Sequence, residues 1–83
     1  MQIEVTPSAK LLMIAAKESS IRPVPAIKSS DLPYGFVDLP ELPIPGDLIE
    51  WPNRHQWKVL RRYWYPGTNH PPMLVLGLYD EPI

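Results

Sequence analysis

The side chains of this 83-residue chain that could do chemistry are few. His55 and His70 are its only histidines, and it contains no cysteine. Zinc sites draw three or four ligands from locally paired positions, and these two histidines stand fifteen residues apart. Asp47 and Glu50 precede His55 without any metal-ligand spacing. The sequence therefore assigns no metal ligand and no cofactor. Glu50 with His55 could form an acid–base pair, but catalysis needs groups held by a supporting shell. No glycine-rich phosphate loop and no nucleophile spacing accompanies them. No catalytic residue is assigned, and a small enzyme is the weakest of three functional readings.

Cations among aromatic rings form the one constellation of note. Arg54, Lys58, Arg61 and Arg62 are interleaved with Trp51, Trp57, Tyr63, Trp64 and Tyr65. The net charge is −1, but residues 51–72 carry +4, against −3 for residues 1–50 and −2 for residues 73–83. Rings that stack on bases and cations that reach phosphates suit nucleic acid. Trp, Tyr and Arg are also the residue types that dominate protein interfaces. The structural alternative is that each ring simply serves the core of a small domain. Partner binding is assigned to Arg54, Lys58, Arg61, Arg62, Trp64 and Tyr65, with a protein as first choice of partner.

Three strands must position these residues. Gly46 to Trp51 begins with a turn and continues apolar through Leu48 and Ile49. Trp57 to Tyr65 alternates, but neither of its faces is cleanly apolar, which implies a bend or cover on both faces. Met73 to Tyr79 places Leu74, Leu76 and Leu78 on one face, and Gly77 marks either a bulge or a close approach. Leu48, Ile49, Val59, Leu60, Leu74, Leu76 and Leu78 are the expected core. Upstream, Gln2 to Val5 suits a short strand. Thr6-Pro7 suits a helix start, because Thr caps free N–H groups and Pro loses nothing at the first helical position. Leu11 to Ala16 is apolar all round, open to three readings: a helix, a strand buried on both faces, or a helix with one face on the core and one on a partner.

Residues 22–45 hold six of the twelve prolines, interleaved with Val24, Ile27, Leu32, Phe36, Leu39 and Leu42. Proline fixes φ and donates no hydrogen bond, so no helix or central strand can run through. The expectation is an extended, proline-rich strap with Phe36 at least half buried and Ser29-Ser30 in an exposed turn. Pro40-Glu41-Leu42-Pro43 is a PxxP sequence, but no flanking Arg supports its use as a ligand.

Pro45-Gly46-Asp47 followed by Leu48 and Ile49, with two further strands behind, resembles the opening of SH3-like small barrels over residues 44–79. The resemblance is one of fold, and this superfold carries many functions. The expected fold is mainly β: a small SH3-like β-barrel, closed or incomplete, with one N-terminal helix and the strap. The parts are a strand and helix over 1–21, the strap over 22–45, the three-stranded core over 46–79, and a tail over 80–83, all in one domain. No apolar run approaches the ~20 residues a bilayer needs. Glu4 and the short apolar run argue against a signal peptide, so a cytoplasmic location is expected. The expected function is a non-catalytic protein-binding module, a small accessory subunit docking on a larger assembly. Nucleic-acid binding through residues 51–65 is the alternative.

Overall fold

The computed structural model describes residues 1–21, 29–51 and 55–83. These form a curled five-stranded half-barrel with one α-helix. Its elements are β1 (Gln2–Pro7), α1 (Ala9–Ile21), a 3-10 turn (Ser29–Asp31), β2 (Gly35–Asp38), β3 (Leu48–Glu50), β4 (Gln56–Tyr63) and β5 (Met73–Gly77). The strand order is β2-β1-β5-β4-β3. Only the β1–β5 pair is parallel.

β1 alternates as a half-buried strand should, with Ile3, Val5 and Pro7 inward. It runs two residues further than Val5, so Thr6-Pro7 is strand rather than helix start. The ladder explains why Pro7 fits. Glu4 N–H donates to Pro72 O at 2.9 Å and Ser8 N–H donates to Leu76 O at 2.8 Å, so even-numbered residues bond to β5. The odd-numbered side faces β2, which begins at Gly35 opposite Val5. The donor that Pro7 lacks is therefore not called for. Ser8 caps α1 instead: its Oγ accepts from Leu11 N–H at 3.1 Å and donates to Glu81 Oε1 at 3.0 Å.

The apolar run of α1 divides by face. Leu11 and Ala15, one turn apart, are buried against the sheet, while Leu12 and Met13 are exposed. The buried cluster also contains Ile3, Val5, Leu32, Trp57, Val59, Leu74 and Leu76. Trp57 is its largest member, and its indole N–H has no hydrogen-bond partner there. An unpartnered buried donor costs about 1–3 kcal/mol, which the burial of the ring must offset.

Strand β4 departs from simple alternation through a bulge between Val59 and Arg61. Val59 and Leu60 are both buried. The extra residue reverses the parity beyond it, so Arg61 pairs opposite Val75 and Arg62 opposite Leu74. Gly77 has a different role. A Cβ there would stand 2.6 Å from both Leu60 Cδ1 and Glu81 Oε1, so the absence of a side chain lets the buried Glu81 cover the sheet.

Several sequence expectations are corrected. Leu48 is 55% exposed, because β3 is a three-residue edge strand and Leu48 sits opposite Lys58 on the outer face. Of the rest of the expected core, Val59, Leu60, Leu74 and Leu76 are buried, and Ile49 and Leu78 are half buried and packed against the core. Phe36 is 56% exposed: it lies opposite Glu4, on the face of β1 that turns away from Ile3 and Val5. Residues 22–28 of the expected strap lie outside the described residues. Within 29–45 the chain makes the Ser29–Asp31 turn, with Ser30 exposed, and the edge strand β2.

Two leucines test this placement. Leu76→Ala should lower the free energy of unfolding by about 2–5 kcal/mol in urea titrations. Leu48→Ala should change it by less than about 0.5 kcal/mol. Gly77→Ala should destabilise by about 1–3 kcal/mol through overpacking against Leu60 and Glu81.

Candidate protein-docking surface

The structure brings only part of the sequence-predicted constellation together. Arg54 lies outside the described residues. Lys58 Nζ donates to Glu81 O at 2.7 Å and to Tyr79 O at 3.4 Å, so it ties the C-terminal segment to the sheet. Arg61 and Arg62 are both exposed, but the register puts them on opposite faces. Trp64 and Tyr65 follow the end of β4, and Trp64 is 57% exposed.

The register assembles a different set on the outer face, because directly opposed residues share a face. Phe36, Glu4, Met73 and Tyr63 form one row across β2, β1, β5 and β4. Thr6, Val75 and Arg61 form the next. The first row spans three strand spacings, about 14 Å. Phe36 and Tyr63 are exposed, and Met73 and Val75 are half buried. The row is therefore apolar and aromatic, crossed by one carboxylate and bordered by one guanidinium.

The loop after β4 returns to this row. Gly67 takes a positive φ of 77°, and Thr68 Oγ1 donates to Tyr65 O at 2.8 Å while accepting from His70 N–H at 3.2 Å. His70 Nε2 lies 3.1 Å from Glu4 Oε1, and its ring packs against Tyr65 at 4.5 Å. Tyr65 is thus held beside the row by His70, rather than projecting freely from a strand. His55, which the sequence offered as an acid–base partner of Glu50, stacks on Trp57 at 5.2 Å and lies 3.6 Å from Asp31 Oδ2. Among the described residues no three His, Asp or Glu side chains stand together as a metal site. No described helix is long and apolar enough to cross a membrane.

Phe36 and Met73 are the members that sequence reasoning missed. Their signal was parity: Phe36 alternates with Val37, and Met73 with Leu74, whose sides face the core. The phase of Met73 follows from the expected burial of Leu74 and Leu76; that of Phe36 becomes legible only once β2 is known to pair with β1. No known protein family, curated protein or solved structure matches the chain.

The distinction between a structural and a presenting cation is measurable. Lys58→Ala should lower stability by about 1 kcal/mol or more, since it removes charge-assisted hydrogen bonds. Arg61→Ala and Arg62→Ala should each leave the melting curve within about 0.5 kcal/mol of the parent.

Proposed function

We propose that this chain is a non-catalytic protein-binding module, a small accessory subunit that docks on a larger protein assembly through the outer face of its sheet. We place it with incomplete small barrels of the SH3-like kind, on the strength of the Pro45-Gly46-Asp47 turn that leads into β3. The observation that carries the functional reading is the row of Phe36, Met73 and Tyr63, apolar and solvent-facing, with Arg61 and the Tyr65–His70 pair beside it. Aromatic rings with an adjacent Arg bring large contact area and directed hydrogen bonds at low entropic cost. A chain of this size has a marginal core and gains stability from a bound partner. Nucleic acid is less well served: with Lys58 engaged by backbone carbonyls and Arg61 and Arg62 on opposite faces, the described cations do not line one track.

Affinity capture with the tagged protein tests the proposal. Tyr63→Ala and Phe36→Ala should each reduce retention of a protein partner by about tenfold, with the fold unchanged by circular dichroism. Absorbance at 260 nm in the captured fraction should be low. Nucleic-acid binding that weakens with salt at a log–log slope of about −3 to −4, and is abolished by joint removal of Arg61 and Arg62, would reverse the choice of partner.

A further inference from the structure

The half-barrel is open between its two edge strands. β3 ends the sheet on one side. Trp51 N–H donates to His55 O and Val59 N–H donates to Asp47 O, both at 2.8 Å, so the odd-numbered residues of this segment bond to β4. In an antiparallel pair the intervening residues point their N–H and C=O groups the other way. Those of Leu48 and Glu50 therefore face the free edge.

A groove follows that edge. Its larger part, about 570 Å³, lies between residues 39–44 and β3; a smaller part of about 240 Å³ is lined by Val37, Leu39, Ile49, Glu50 and Trp51. Leu39 and Ile49 belong to both parts. The apolar lining includes Val37, Leu39, Leu42, Ile49 and Trp51, all packed against the core and only partly buried. Glu41, Asp47 and Glu50 line the groove, and no described Lys or Arg does.

We propose that this seam takes an extended segment of a partner chain as a sixth strand on the free edge of β3. A strand satisfies the free backbone groups of Leu48 and Glu50, which a helix, bonded within itself, cannot. Its residues alternate: one set fills the groove against Leu39, Ile49 and Trp51, and the other lies on the side of Glu50, where a cation is favoured. The partner segment is therefore one in which apolar residues alternate with Lys or Arg. Among the described residues of this chain only Trp57 to Arg61 approaches that pattern, and both edges of β4 are already paired with β3 and β5. A second copy is thus a poor occupant. The surface is separate from the outer-face row, and the two proposals stand or fall independently.

The probe is a capped synthetic peptide, Lys-Val-Lys-Val-Lys-Val-Lys, added to the full chain and followed by amide NMR. Hydrogen exchange at Leu48 and Glu50 should slow by about tenfold at saturation, as those amides gain partners. The exposed double variant Glu41→Lys with Glu50→Lys should weaken the peptide by about tenfold and favour a Glu-Val-Glu-Val-Glu-Val-Glu peptide, with the fold retained by circular dichroism. Tyr63→Ala should leave peptide affinity unchanged even if it abolishes capture through the outer face. No binding at millimolar peptide would overturn the proposal, as would protection confined to Phe36 and Asp38 or affinity indifferent to charge reversal. Protection of Leu48 and Glu50 that rises with protein concentration alone would replace the partner with a second copy.

Discussion

The parallel pairing of β1 with β5 is the constraint on which the rest of the structure depends. Glu4 to Pro7 lie in register with Met73 to Leu76, joining opposite ends of the chain. Ile3, Val5, Leu74 and Leu76, which this ladder brings together, are at most 1% exposed and form the centre of the core. Without it β2 and β1 would stand apart from the β5-β4-β3 meander, and neither part could bury its apolar face. The same pairing fixes where α1 starts, because Ser8 both completes the β5 ladder and caps the helix. It also leaves β2 and β3 as the two edges, hence the open seam.

The bulge in β4 is the second determinant. Trp57 and Val59 face the core; simple alternation would have sent Arg61 there too. One extra residue at Leu60 moves Arg61 to the outer face and lets Leu60 pack over Gly77. A guanidinium is thereby kept out of an apolar interior, where it would need a paired charge. The Glu81 carboxylate is buried nearby in a supported setting, with Ser8 Oγ and Leu78 N–H both donating to Oε1. That small polar cluster anchors the C-terminal segment over the sheet, and Lys58 reinforces it from β4.

Two of the surfaces that turn apolar groups to solvent among the described residues differ in kind. The outer row presents side chains from four paired strands whose backbone groups are satisfied, so it suits contact by shape and ring packing. The seam presents unpaired backbone beside an apolar groove, so it suits strand addition. Leu12 and Met13 on the back of α1 add a third, smaller apolar exposure.

By itself the sequence determined the three C-terminal strands, and it missed β2, which lies within the expected strap. Period-two alternation and turn residues placed the strands now seen as β3, β4 and β5 to within two residues at most ends, and the absence of cysteine and of ligand spacing removed metal and disulfide chemistry from its readings. The anomaly of β4, with two mixed faces, was visible as implying either a bend or cover on both faces, and the bulge supplies the first. What tertiary structure alone decided was which face turned inward in β2, in β3 and beyond the β4 bulge. That choice depends on neighbours far away in sequence. Phe36 is exposed because β2 pairs with β1, Leu48 because β3 is an edge, and Lys58 is occupied because the C-terminal carbonyls come to it. Alternation supplies a period but no absolute phase with respect to the core. The phase is set by which strands lie side by side, and here that rests on a contact between residues about seventy apart, which no local pattern encodes.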